Sequence, residues 1–341
     1  MDTAVAKRSQ KWDILKLILI FLVVLGHGVD YFTRSSEFMK GLFLFIYSFH
    51  IPVFIFVSGV FSKNTVNQKR FDRIFGYLIL YFAVKLYPVI YRNLSGGKSG
   101  INWWSESGIP WFMFALFVFY IVTILLRKLP RVAVLTVSLL AGCAVGYFSF
   151  IGDFLVTSRI IVYYPFFFLG YCVEREQIEN ICRKKSMKIA SLLVLTVFFA
   201  AVLMCSDELY WLRPLLTGRN PFSALGQYEN LGFIIRLAYY LFVLVIGGSV
   251  VSVIPDRDVS GVCAKLGQRT LAVYALHFIV FYFLFEKFVF IPDDIKRWLV
   301  LPASVLATLF FSIGFFNRIL MFLLDLPGKL IRIVSEKRIV K

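Results

Sequence analysis

Only three histidines occur in this 341-residue chain, His27, His50 and His277, and each lies inside a long apolar segment. A titratable ring in hydrocarbon surroundings must find polar partners or face water, so an intramembrane histidine marks a candidate functional site. Its chemistry is general-base catalysis, because a neutral imidazole with a pKa near 6.5 accepts a proton around neutral pH. His27 ends the run KWDILKLILIFLVVLGH, eleven residues after Lys16. Eleven residues at about 100° each make three helical turns plus about 20°, so Lys16 and His27 share one stripe of a helix. Asp13 precedes Lys16 by one turn and can pair with it, which lowers the cost of placing that charge at a membrane edge. The competing account of Lys16 is an interfacial lysine snorkelling to headgroups. The competing account of the histidines is three unrelated core residues, each hydrogen-bonded to a neighbouring helix.

A second group is the basic run Lys69, Arg70 and Arg73. Guanidinium forks match phosphate oxygens, so Arg70 and Arg73, one turn apart, suit a ligand carrying several phosphates. The same charges also read as a cytoplasmic anchor. Together these patterns are compatible with group transfer from a phosphate-bearing donor. Ser58 raises the question of a covalent acyl-enzyme, but it follows His50 by eight residues, about 80° around a helix, so direct contact between the two is not expected. With Gly59 it reads equally as a small-residue contact that lets helices approach. Trp103, Trp104 and Trp111 suit an interfacial belt, and Trp111 also suits a sugar-stacking platform. The five cysteines show neither C-x-x-C nor metal-like spacing and are read as packing residues.

The elements that must position these groups are membrane helices. The chain is 59% hydrophobic and 18% aromatic, with a mean hydropathy of +0.78, well above the apolar usage of soluble domains. A net charge of +17 could suggest nucleic-acid binding, but the basic residues punctuate apolar segments instead of lining a folded face, so no nucleic-acid partner is expected. The first apolar segment lacks a small-residue cleavage site and reads as a membrane span. With about 20 residues needed per crossing, ten spans are expected, at about 14–33, 40–61, 71–91, 110–127, 131–150, 159–175, 187–205, 230–254, 267–291 and 297–325. The chain is therefore expected to be an all-α polytopic membrane protein with one membrane domain over 1–341, its core at about 12–328, and no separate soluble domain. With the N-terminus inside, the inner segments carry about twice as many Lys and Arg as the outer ones, which places both termini in the cytoplasm. At about 1.5 Å per residue, His27 lies about 20 Å from the cytoplasmic boundary of its span, His50 about 15 Å from the outer boundary of its own, and His277 about 15 Å from the start of the span at 267. All three then sit near the middle third of the bilayer.

Asp13-x-x-Lys16 followed by Val-Leu-Gly-His27, then Phe49-His50-x-Pro52-x-Phe54 leading to Ser58-Gly59, resembles the membrane-bound acyltransferase 3 family. The likeness is to its branch of fucose 4-O-acetylase and related sugar acetyltransferases. It extends through Lys69-Arg70 to Arg73, Pro110-Trp111-Phe112, Tyr164-Pro165-Phe166-Phe167-Phe168-Leu169-Gly170-Tyr171, and Leu266-Gly267 with Tyr274 and His277. The resemblance implies an O-acetyltransferase of a plasma membrane, bacterial in origin, that moves acetyl from cytoplasmic acetyl-CoA to a carbohydrate hydroxyl without a metal. The family's usual arginine ahead of the histidine is Lys16 here, and a lysine lacks the bidentate fork. The hydrolase-like domain that some relatives append is expected to be absent.

On this reading His27 is the base, Asp13 and Lys16 orient the donor entrance, and His50 holds the acceptor or assists a proton relay. Arg70 and Arg73, with Lys69, hold the CoA phosphates. Trp111, Arg159, His277 and Ser58 line the acceptor side. A transporter or flippase of a lipid-linked saccharide is the alternative, since transporters also use midplane polar residues. The acceptor sugar and the oligomeric state are left open.

Overall fold

The structure is a computed structural model and describes residues 9–94, 98, 100–106 and 108–339, with only the backbone of 334–339. Lys7, Arg8, Lys337, Arg338 and Lys341, which enter the charge argument, lie outside the described side chains. Among the described residues the chain is helical, with a single isolated bridge between Ser105 and Phe154. In order the helices are α1 (Gln10–Asp30), α2 (Glu37–Val60), α3 (Lys63–Asn67), α4 (Phe71–Leu94), α5 (Trp111–Leu126), α6 (Arg131–Ala144), α7 (Thr157–Cys172), α8 (Arg175–Cys182) and α9 (Lys185–Met204). There follow α10 (Ser206–Leu209), α11 (Arg213–Leu216), α12 (Gly232–Val253), α13 (Val262–Gly267), α14 (Thr270–Leu276), α15 (Phe278–Tyr282), α16 (Asp293–Phe311) and α17 (Gly314–Ile339).

Six helices are long and apolar enough to cross a membrane, or up to seven if the bent pair of α16 and α17 counts as one span. The protein is an integral membrane protein. The expected spans at 14–33, 40–61, 71–91, 187–205 and 230–254 each coincide with a long apolar helix. Those at 110–127, 131–150 and 159–175 fall on α5, α6 and α7, which have 16, 14 and 16 residues. Sixteen residues rise about 24 Å, less than a hydrocarbon core of about 30 Å. The expected single span at 297–325 falls on two helices, α16 and α17, bent by 65° at a break at Ser312 and Ile313. Ser304, Thr308 and Ser312 each donate a hydroxyl to the carbonyl four residues back, at 2.7, 2.8 and 2.7 Å. Such back-bonding bends helices. Arg269 donates to the released Ser312 carbonyl at 3.0 Å, which fixes the end of α16.

The chain divides into two compact units. The first comprises 1–54, 176–206 and 244–317 and is built on α1, which packs on α13, α14 and α16. Trp12, Leu15, Leu19, Val23, Val24 and Val29 bury the apolar face of α1. Gly28 permits the close approach, because a Cβ there would stand 2.6 Å from Val300 and 2.8 Å from Phe281. At the start of α1, Lys11 donates to the Ile254 carbonyl at 2.6 Å and pairs with Asp256 at 3.4 Å. Trp12 donates to Glu179 at 2.7 Å.

Asp258 ties the next turn together by accepting from the Ala264 amide at 2.7 Å and the Ser260 hydroxyl at 2.9 Å. Those bonds, the Ala264 amide first, hold its carboxyl below the usual carboxylate range. A carboxyl depressed by folding stabilises above its unfolded pKa, and the contribution is lost as pH falls through the folded value. Thermal unfolding of the detergent-solubilised protein is expected to show Tm falling with acidification below about pH 4, less steeply in Asp258→Asn. Identical acid profiles would count against the cap.

The second unit comprises 55–175, 207–243 and 318–341 and packs α4 on α5 and α5 and α6 on α7. Gly59 meets the Phe167 carbonyl, and its Cβ position lies 3.1 Å from the Cα of Gly170. Here the small-residue reading of Ser58-Gly59 describes the packing. Gly59→Leu is expected to lower unfolding stability by at least about 1–3 kcal/mol, because backbone and not a pliable side chain blocks the new atoms. Unchanged denaturant resistance would refute this crossing. An apolar hollow of about 440 Å³ lies among α5, α6 and α7, lined by residues such as Leu126, Pro130, Val134, Val137 and Ile161. It contains none of the candidate site residues. Cys143 and Cys182 are buried and Cys172 is half-buried, as packing residues would be, whereas Cys205 and Cys263 are exposed.

Candidate active site

The first unit brings two of the three histidines together. His27 is exposed on α1, although Val23 to Gly26, Gly28 and Val29 around it are buried. Its ring stacks on His277 with centroids 5.3 Å apart and planes 27° apart. His277 follows α14 directly and is 0% exposed. Its Nδ1 lies 2.9 Å from the Tyr274 carbonyl and 3.1 Å from that of Val273. His50 is placed differently. Its buried ring approaches the Ile46 carbonyl at 2.7 Å through Nδ1 and meets Tyr47 edge-on at 4.9 Å. Among the described residues those partners belong to its own helix, α2.

Asp13 is buried near the start of α1 and pairs with Lys16 at 2.7 Å, as the one-turn spacing predicts. Its second oxygen accepts from Gln268 at 3.2 Å. This contact exists because Gly267 lets α13 press against the backbone of Asp13, where any Cβ would collide with the Asp13 carbonyl. Lys16 and His27 both lie on the less buried side of α1. A half-exposed ammonium held by a fixed carboxylate is thereby set on the same helix as an exposed imidazole.

In the second unit, Arg70 grips Asp72 through two parallel hydrogen bonds of 3.0 and 2.8 Å. Its fork is therefore engaged by the chain itself, while Lys69 and Arg73 are exposed cations at the entry to α4. Lys69 has a φ of 51°, a left-handed turn that sets this entry. Ser58 is half-buried on α2. Trp111 and Arg159 converge, with the guanidinium 4.9 Å from the indole centroid. Arg159 is 4% exposed and pairs with Asp153 at 3.0 Å, and Arg219 binds the other oxygen of Asp153. Tyr163 stacks on Trp111 at 5.8 Å. Trp111 is thus built into a buried aromatic and ionic cluster, and Arg159 covers one of its faces.

Several polar partners escape a reading by motif. Gln268, Asp153 and Tyr163 become partners only through packing. Lys85, buried on α4, pairs with Glu106 at 3.0 Å and donates to Tyr81 at 2.8 Å. Arg236, 1% exposed, donates to the Leu215 carbonyl at 2.8 Å and lies over Tyr239 at 5.6 Å. A single charge inside the apolar run GFIIRLAYYLFVLVIGG is the signal that could have singled it out. Among the described residues no three His, Cys, Asp or Glu side chains converge on a metal position.

A family model described as an acyltransferase domain matches residues 10–317, which include every candidate site residue. The chain is 24% identical over 309 residues to nodulation protein NolL of Sinorhizobium fredii (strain NBRC 101917 / NGR234), covering 80% of this chain and 78% of that protein. It is 27% identical over 179 residues to nodulation protein NolL of Mesorhizobium japonicum (strain LMG 29417 / CECT 9101 / MAFF 303099), covering 48% and 47%. No solved structure matches it.

Proposed function

From its place in the acyltransferase 3 family, to which this chain belongs as an integral-membrane acyltransferase, we propose that it moves acetyl from cytoplasmic acetyl-CoA to a hydroxyl of a carbohydrate. The acceptor is a cell-surface polysaccharide, a glycolipid or a precursor of either, and the enzyme works in a bacterial plasma membrane with both termini in the cytoplasm. The observation that carries this reading is the exposed His27 stacked on a buried second histidine, within the matched segment.

An acetyl thioester is already reactive, so the protein has to align it, remove the hydroxyl proton and stabilise the oxyanion. His27 takes the proton as the acceptor oxygen attacks the thioester carbonyl. The C–S bond then breaks, and His27 returns the proton to the departing CoA sulfur. Asp13 holds Lys16 at the donor entrance. Arg73 and Lys69 meet the CoA phosphates, and Arg70 joins them by exchanging Asp72 for phosphate, which presents the same two-oxygen edge. His50, Ser58, Trp111 and Arg159 belong to the acceptor side. The test is to incubate purified protein with isotope-labelled acetyl-CoA and candidate cell-surface glycans and locate the label by mass spectrometry. Label on a glycan hydroxyl supports the reading, and acetyl-CoA left intact with every glycan tried overturns it.

A further inference from the structure

The environment of His277 settles which of its nitrogens carries the proton. A carbonyl oxygen only accepts hydrogen bonds, and the Nδ1 of His277 lies within 3.1 Å of two of them. Nδ1 is therefore the N–H, and the lone pair resides on Nε2. That Nε2 is buried and has no hydrogen-bond partner among the described residues. Leaving a buried acceptor unpaired carries a desolvation cost, and such orphans in native structures call for an explanation. Two neighbouring rings carry a proton to offer, His27 at 5.3 Å and Tyr274 at 6.5 Å between centroids, and His27 is the nearer.

We propose that His277 is a positioning residue for His27, whose Nε2 accepts a hydrogen bond from the second ring N–H of His27 as His27 takes the hydroxyl proton. The proposal rests on the acetyl-transfer reading above. At this separation, rotation of the His27 side chain brings the ring edges within hydrogen-bond reach. The helices cannot drift apart easily, because α1 is packed on α14 and Gly28 is seated against Phe281 and Val300. When His27 becomes an imidazolium, its outer N–H holds the incoming proton and its inner N–H points at Nε2. The tautomer of His277 is enforced by backbone carbonyls, so His277 is ready as an acceptor before substrate arrives. This is the general logic of a base oriented by a third group, with an imidazole in the place where a carboxylate often stands. His50 is not suited to the task, since its ring meets the Ile46 carbonyl and Tyr47 on its own helix, α2.

Two variants separate this role from simple packing. His277→Asn keeps an N–H at the position of Nδ1, able to donate to the Tyr274 carbonyl, but has nothing at the position of Nε2. His277→Gln can place an amide oxygen there. The expected result is at least about a tenfold fall in kcat for His277→Asn with KM for acetyl-CoA unchanged, and partial recovery in His277→Gln. Wild-type kcat in a folded His277→Asn overturns the proposal, because the anchoring bond alone would then suffice.

A readout independent of activity uses the fact that the chain has only three histidines. In protein labelled with 15N-histidine and held in lipid nanodiscs, His277 is expected to show the neutral Nδ1–H tautomer. The tautomer balance of His27 is expected to change in His277→Asn. An Nε2–H tautomer for His277, or a His27 balance indifferent to the substitution, overturns the pairing. Wild-type protein that transfers no acetyl while the tautomer coupling holds would count against the proposed reaction and not against the histidine pair.

Discussion

His27→Ala is expected to lower kcat for acetyl transfer from acetyl-CoA by at least about 100-fold, the lower end of what a positioned general base contributes. The side chain is exposed while its neighbours on α1 are buried, so truncating it costs only the ring stack on His277 and the variant should fold. Retained proton chemistry also separates this from a steric effect: His27→Gln, which preserves size and polarity but cannot take up a proton, should be as inactive as alanine. The measurement is single-turnover transfer of labelled acetyl, alongside thermal unfolding to confirm an intact fold. Full activity in a well-folded His27→Ala would remove the residue from the mechanism.

Neutralising the basic entry to α4 is expected to act on the donor. Arg70→Gln with Arg73→Gln should raise KM for acetyl-CoA at least about tenfold and leave kcat at saturating donor nearly unchanged, since charge-assisted bonds to phosphate contribute about 1.5–3 kcal/mol each when formed. The exposure of Arg73 moderates its share through solvent screening. Because Arg70 is forked onto Asp72 before any ligand arrives, Arg73→Gln alone should have the larger single effect. Direct binding of a non-reactive CoA analogue by calorimetry provides the check. Unchanged affinity in the double variant would leave Lys69, Arg70 and Arg73 as topology anchors.

The helices that hold these groups were legible wherever apolar length alone decides them. The segments expected at 14–33, 40–61, 71–91 and 187–205 agree closely with Gln10–Asp30, Glu37–Val60, Phe71–Leu94 and Lys185–Met204. Hydropathy was less informative where polar side chains reshape a helix from within. The hydroxyl ladder of Ser304, Thr308 and Ser312 and the cap from Arg269 divide a run that is continuous in composition. The segments expected at 110–127 and 159–175 match α5 and α7 nearly residue for residue, and these helices are simply short.

Candidate chemistry was legible by residue type and less so by partnership. A membrane location for the histidines, the one-turn pairing of Asp13 with Lys16 and the basic entry at Lys69 to Arg73 all follow from local spacing, because hydrophobic burial and helical periodicity act over a few turns. The stack of His27 on His277, the bond from Gln268 to Asp13 and the enclosure of Trp111 by Arg159 join residues far apart in the chain or in different helices. Glycines at 28 and 267 decide how closely α1 meets its neighbours, and that distance determines which polar atoms meet. Composition and periodicity were therefore enough to establish a helical membrane protein with titratable groups inside its apolar segments. Which histidine faces His27, and which acid or cation is already engaged, was decided only by tertiary packing, since contacts between distant segments depend on interhelical fit that no local pattern encodes.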